Sequence, residues 1–219
     1  MSSLPHPLNA ASALAVLREG NARFASNVRS IDVLASQARR EALTGGQSPN
    51  AIILSCADSR VPSEIVFDCG LGDLFVVRVA GNVCAPSLVG SVEYAASMFG
   101  TELVVVMGHT QCGAVKATVQ SLLESGDHPS ENIRDIVERV SPAIVPLLDA
   151  GLDAQELVRR GTRANVRHTA DQLRHGSKIL ARRIGDGQLV VVGAEYSIET
   201  GKVDFFDVPV PLTSATAAA

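Results

Sequence analysis

Two short stretches of this chain carry residues that can do chemistry together. The first is Cys56-Ala57-Asp58-Ser59-Arg60 and the second is His109-Thr110-Gln111-Cys112. Each follows an apolar run, Ala51-Ile52-Ile53-Leu54 before the first and Leu103-Val104-Val105-Val106-Met107 before the second. Short apolar runs of this kind read as buried strands. In open α/β sheets, ligands bind outside the carboxyl ends of strands. The two strand ends therefore point to one site, with Cys56, His109 and Cys112 as its ligands and Asp58 and Arg60 beside them. Two thiolates and an imidazole suit zinc, and three protein ligands leave a fourth position for water. Each stretch alone says little. A buried thiol commonly serves as a small hydrophobe, and Asp–Arg pairs are common structural ion pairs. Their joint placement at two strand ends is what points to a metal. Cys69, at a predicted helix end, and Cys84, in a loop, read as small buried hydrophobes. His6, His128, His168 and His175 lie in polar or helical contexts and read as surface residues.

The elements that must position this site follow from the pattern around it. An amphipathic helix is expected over about residues 11–25, with Leu14, Leu17, Phe24 and Val28 at helical spacing and Asn9 or Ser12 as its cap. It reads as an interaction arm or a lid on the fold. A second helix is expected over residues 33–43, stopped by Gly45-Gly46. Gln47 follows in the loop before the first strand and by itself reads as a solvated loop residue. Pro62 starts a short helix ended by Gly70-Leu71-Gly72-Asp73. Residues 74–79 form a second strand and Ala80-Gly81-Asn82 a turn. A helix spans residues 86–99, and another runs from Ala114 to about Glu124. Residues 130–148 and 154–184 are long helical stretches. Residues 189–193 form a fourth core strand, and a hairpin turn at Glu199-Thr200-Gly201-Lys202 returns residues 203–208 as an edge strand. Alternating strands and helices imply right-handed crossovers and a parallel sheet. The expected fold is α/β: a mostly parallel central sheet of about four strands with an antiparallel edge strand, flanked by helices, with an N-terminal helical arm. One domain spans residues 1–219, with the arm in 1–45 and a disordered tail in 212–219. Arg159, Arg163 and Arg167 recur every four residues, with Arg174 further along, and read as a solvated face.

Composition narrows the function classes. The chain has 219 residues, a formal net charge of −4, 46% hydrophobic and 4% aromatic residues, and no Trp. That length suffices to bury roughly 70–75% of the unfolded surface, around an aliphatic core. Nothing advertises a nucleic-acid or membrane partner. No apolar run reaches the roughly 18 residues of a membrane helix, and residues 1–7 lack the pattern of a signal peptide. A cytoplasmic location follows by default. There, four Cys favour metal binding over disulfides.

The motifs together resemble the β-class carbonic anhydrases, in their plant-like branch. The matching text is Gly20-Asn21-Ala22-Arg23-Phe24, Ser55-Cys56-Ala57-Asp58-Ser59-Arg60-Val61-Pro62, Gly72-Asp73-Leu74-Phe75-Val76-Val77-Arg78, Ala80-Gly81-Asn82, Ser91-Val92-Glu93-Tyr94-Ala95 and Gly108-His109-Thr110-Gln111-Cys112-Gly113-Ala114. It covers nearly the whole chain. Val79 departs from the Asn often found there. The resemblance implies a substrate pocket formed by Gln47, Phe75, Ala80, Tyr94 and the Gly113 amide. Ala80 replaces a frequent Val and widens that wall slightly. The resemblance further implies one Zn²⁺ per chain and a homodimer or tetramer, with Leu17 and Phe24 of the first helix offered to a neighbour.

The implied reaction is reversible hydration of carbon dioxide to bicarbonate and a proton, by attack of zinc-bound hydroxide. Two thiolates cancel the metal's charge, so its water should be less acidic than at a three-histidine site, where its pKa is about 7. Asp58 has two possible states. Paired with Arg60, it orients the nucleophile; released, it closes the site as a fourth ligand. Three alternatives differ in testable ways. A carbon disulfide or carbonyl sulfide hydrolase would keep the zinc set. A non-catalytic zinc-stabilised binding module would need a fourth protein ligand. A thiol redox protein would need Cys-x-x-Cys, which is absent.

Overall fold

The computed structural model describes residues 6–28, 36–124 and 130–209. Five strands form one sheet: β1 (Ala51–Cys56), β2 (Leu74–Val79), β3 (Leu103–His109), β4 (Val190–Tyr196) and β5 (Val203–Asp207), in the order β2-β1-β3-β4-β5. All neighbours are parallel except β4 and β5, which pair antiparallel with an irregularity at Gly193/Ala194. The expected sheet is therefore the one observed.

Strands β1 and β3 are buried along their whole length. Both faces of these central strands are covered, which is why their sequences are continuously apolar rather than alternating. Ile53, Val105 and Met107 face one core with Ala13, Leu14 and Leu17 of helix α1 (Ala10–Ala25). Ile52, Leu54, Val104 and Val106 face the other. There they meet α4 (Pro86–Met98), α7 (Ala154–Gly176) and α8 (Lys178–Gly185). Two short helices are α2 (Gln37–Ala42), whose Arg39 donates to the Leu71 carbonyl at 2.8 Å, and α3 (Ser63–Val66), whose Val66 joins the α1 core. Helices α5 (Gly113–Glu124) and α6 (Glu131–Ile144) pack with α7 around a third apolar cluster that includes Cys56 and Cys112. The metal-ligand candidates therefore sit on a packed floor.

One of the two expected caps is observed, and several other expectations change. Helix α1 is capped by the Asn9 side chain, which accepts from Ser12 N at 2.9 Å. It is no free arm: Leu17 is 1% exposed in the core of its own chain, and Phe24 lies against Tyr196 with ring centroids 6.3 Å apart. Leu14 and Leu17 of its apolar stripe are consumed by the sheet beneath, while Val28 lies past the helix end and is exposed. Helix α2 begins after its cap Ser36; residues 33–35 of the expected helix lie outside the described residues, as do the expected tail and His128. Helix α3 is a single turn that ends well before Gly70, because Asp68 takes a left-handed φ of 49°. The stretch 154–184 is two helices: Ser177 breaks it and caps α8 through Leu180 N at 3.1 Å. The first part of 130–148 is α6, and a 3-10 segment, Val145–Ala150, completes it.

The arginine stripe on α7 is not simply solvated. Arg163 pairs with Glu195 at 3.3 Å and also with Asp204, and its guanidinium lies 4.2 Å from the Phe206 ring centroid. Arg167 lies over the same ring at 4.8 Å. Arg174 reaches Asp207 at 3.0 Å and the Val191 carbonyl at 2.7 Å. Three of the four arginines thus clamp α7 to β4 and β5. Arg159 bonds Glu156 on its own helix.

Candidate metal centre

Cys56 ends β1, His109 ends β3 and Cys112 immediately precedes α5. Parallel pairing of β1 with β3 brings the two strand ends side by side. The two Sγ atoms and a ring nitrogen of His109 lie within 4.8 Å of one another, and all three residues are buried. One ion with bonds of about 2.0–2.3 Å spans such a set. Among the described residues this is the group of metal-ligand type that comes together.

The donor set fits zinc on three counts. His109 Nδ1 lies 2.9 Å from the Thr110 carbonyl. That contact requires the proton on Nδ1 and leaves the Nε2 lone pair free. Nε2 is buried without a hydrogen-bond partner, an arrangement that costs stability unless something occupies it. Cys56 is held well below the ordinary thiol range by the Cys112 thiol, with help from His109 and from backbone N–H groups. Gly81 N is one of these, 3.4 Å from Sγ. The same charge, with burial, pushes Cys112 up, so the pair shares its proton and yields one thiolate readily. Cys69 and Cys84 lie apart. Burial pushes them to about 12 and about 11, so neither offers a thiolate. Cys84 is buried as expected, and Cys69 is only half-buried.

Asp58 and Arg60 sit beside this group as a bidentate pair. Arg60 Nε donates to Oδ1 at 2.9 Å, the terminal nitrogen to Oδ2 at 2.7 Å, and Arg60 N to Oδ1 at 2.9 Å. This fork holds the Asp58 carboxyl below the usual carboxylate range. Oδ2 lies 4.0 Å from His109 Nε2. The carboxylate is therefore ionised, oriented, and adjacent to the ligand set while both its oxygens are engaged by Arg60.

The other sequence candidates divide. Ala80 follows Val79, which is paired with Cys56, and Gly113 follows Cys112 at the start of α5, where N–H groups lack helical partners. Both stand at the ligand end of the sheet. Phe75 does not: it pairs with Ile52, four residues back along β1 from Cys56, or roughly 13 Å. Its ring meets Tyr94 at 6.4 Å, and Tyr94 is 52% exposed on α4. Gln47 is exposed in the loop ahead of β1, beyond the opposite end of that strand. Within one chain these three residues stand away from the metal group.

Sequence reading passed over two residues that shape the site. Arg78 donates to the Cys56 carbonyl at 3.1 Å and the Asp58 carbonyl at 2.6 Å. Asn165 on α7 donates to the Gly81 carbonyl at 2.7 Å, on the far side of the Cα from the Gly81 N–H that reaches Cys56. Arg78 was legible as a charge near the end of the second strand. Asn165, a buried amide midway along a helix, had no local signal.

Comparisons with known proteins agree with this geometry. Residues 51–203 match the family model described as carbonic anhydrase. A carbonic anhydrase of Mycolicibacterium smegmatis is 42% identical over 196 residues, covering 90% of this chain and 93% of that protein. Carbonic anhydrase 2 of Mycobacterium tuberculosis is 40% identical over 194 residues, covering 89% and 91%. Among solved structures, the β-carbonic anhydrase CcaA superposes with a TM-score of 0.69 at 26% identity, covering 90% of this chain and 92% of its own. A Coccomyxa β-carbonic anhydrase in complex with acetazolamide gives 0.69 at 25%, covering 88% and 86%. A strand-end cysteine, a second strand end bearing histidine and cysteine, and matches over nine-tenths of the chain have one reading: this chain belongs to the carbonic anhydrase family, in its β class.

Proposed function

We propose that this chain catalyses the zinc-dependent, reversible hydration of carbon dioxide to bicarbonate and a proton. Family membership supplies the reaction. The observation that ties it to a place is the buried, unpartnered His109 Nε2 beside two cysteine sulfurs. Zinc held by Cys56, His109 and Cys112 would acidify a bound water and make hydroxide available near neutral pH.

The chain's own residues do the remaining work. Asp58 accepts a hydrogen bond from the oxygen nucleophile and so turns a lone pair toward carbon. It can do this because Arg60 keeps it ionised and fixes its plane. As a fourth ligand Asp58 would have to leave Arg60, so the pair is the gate between an open and a closed site. Ala80 offers an apolar wall suited to a substrate of little polarity, and the Gly113 amide a donor to a bicarbonate oxygen. Gln47, Phe75 and Tyr94 complete the pocket from a second copy of the chain. Their distance from the ligands of their own chain supports this reading, and it makes the working form a dimer or an assembly of dimers. The chain acts as one domain. We place it in the cytoplasm, in keeping with four unpaired cysteines; among the described residues no helix is long and apolar enough to cross a membrane.

Stopped-flow hydration of carbon dioxide, run beside hydrolysis of carbonyl sulfide and carbon disulfide, tests the substrate. Fast turnover of carbon dioxide alone is expected. Preference for either sulfur compound would move the assignment to the hydrolase alternative.

A further inference from the structure

Only Thr110 and Gln111 separate the two ligands His109 and Cys112. Gln111 takes a left-handed φ of 58°, a conformation that non-glycine residues adopt at a cost. Something must hold this turn. Both of its side chains end on one carboxylate from a hairpin far along the chain. Thr110 Oγ1 donates to Glu199 Oε2 at 2.7 Å, and Gln111 Nε2 donates to Glu199 Oε1 at 2.6 Å. The hairpin between β4 and β5 is shaped around that carboxylate. Ser197 Oγ donates to Oε2 at 3.1 Å, Thr200 N donates to Ser197 Oγ at 3.1 Å, and Ile198 N donates to Thr110 Oγ1 at 3.1 Å.

We propose that Glu199 is a positioning residue for the zinc centre, acting through the Thr110-Gln111 turn. Thr110 links the two. Its side chain is fixed by Glu199 and its N–H by the Tyr196 carbonyl at 2.9 Å. Its own carbonyl then faces His109 Nδ1 and selects the tautomer that presents Nε2. Gln111 is held on its other side by Arg60, whose terminal nitrogen lies 3.5 Å from the Gln111 carbonyl. Glu199 thus fixes both the orientation of His109 and the step of the chain that delivers Cys112. Groups that orient metal ligands from outside commonly change metal affinity or activity by about 10–100-fold when removed.

The inference rests on the zinc reading given above, and its test separates the two. Zinc content of the purified holoenzyme is measured first, then the rate of zinc release to a chromogenic chelator and the visible spectrum of the cobalt(II)-substituted protein. Glu199→Ala should release zinc at least tenfold faster and shift the cobalt bands. Thr110→Val, which removes the hydroxyl while keeping the shape, should move both in the same direction. Glu199→Gln should recover part of the loss, since a flipped Gln111 amide can still pair with it. Lys202→Ala, on the exposed side of the same hairpin, should behave as the parent. Parental release rates and cobalt spectra in both Glu199→Gln and Thr110→Val would overturn the inference, even if Glu199→Ala failed to fold. A parent that holds no zinc would instead overturn the reading it rests on.

Discussion

Gly108 is the residue before His109 on β3, and nothing larger fits there. A Cβ built on it would stand 2.6 Å from Val166 Cγ2 and 3.3 Å from Thr162 Cγ2, both on α7. Ordinary contact begins at 3.4 Å, so Gly108→Ala leaves an overlap of about 0.8 Å. Val166 is β-branched and stiff in a helix, so it cannot swing aside. The helix must move instead. Overpacking of this kind costs about 1–3 kcal/mol, which for a chain of this size lowers the unfolding temperature by roughly 2–12 °C. The displacement also reaches the site. Asn165, next to Val166, bonds the Gly81 carbonyl, and Gly81 N bonds Cys56 Sγ. Gly108→Ala should therefore lose stability and bind zinc less tightly. Val166→Ala removes the clashing methyl, so the double variant should be more stable than the sum of the single effects predicts, by about 1 kcal/mol or more. Thermal unfolding of the four proteins with metal analysis measures this. A parental Gly108→Ala, or strictly additive effects, would refute the claim that close approach of α7 to β3 sets the site.

Other expectations follow from single residues. Leu17→Ala removes a core side chain of α1 and should cost about 2–5 kcal/mol in denaturant unfolding; a cost below 0.5 kcal/mol would return α1 to the role of a free arm. Asp58→Asn should keep zinc by metal analysis but lose most of the hydration rate in stopped flow, and Arg60→Ala should lower the rate at every pH. Glu199 is held near pKa 2 against an ordinary 4.5, first by Thr110 and then by backbone and Gln111 hydrogen bonds. A depressed pKa means its contribution to stability is fully present above about 4.5 and fades as pH falls toward 2. Unfolding midpoints of the parent and Glu199→Gln should therefore differ above pH 4.5 and converge near pH 2; a gap that persists at pH 2 would contradict this.

The strands and the metal ligands were legible because both are written locally. Ala51–Cys56 and Leu103–His109 are apolar runs that end in reactive side chains, and the sheet buries such runs wherever they lie. The role of α1 was not legible. An apolar stripe looks the same whether it meets its own sheet or a neighbour, and only the covered face of β1 and β3 decides. Ser177 was missed as a helix break because polar residues are common on helix surfaces, and its cap on Leu180 N shows only in three dimensions. The arginines of α7 looked solvated because their partners Glu195, Asp204 and Asp207 lie on strands formed later in the chain. Gln47, Phe75 and Tyr94 carried a family resemblance without a position. The register of β1 with β2 for Phe75, its ring contact with Tyr94 and the loop position of Gln47 showed that one chain does not bring them to its own metal group.

The central claim is that Cys56, His109 and Cys112 hold the zinc on which hydration depends. Zinc stoichiometry and stopped-flow hydration, measured on the same preparations of the parent and Cys112→Ser, test it most directly. The expected result is one zinc per chain with rapid hydration in the parent, and loss of both in the variant. Full zinc occupancy in Cys112→Ser, or a zinc-loaded parent that does not hydrate carbon dioxide, would contradict it.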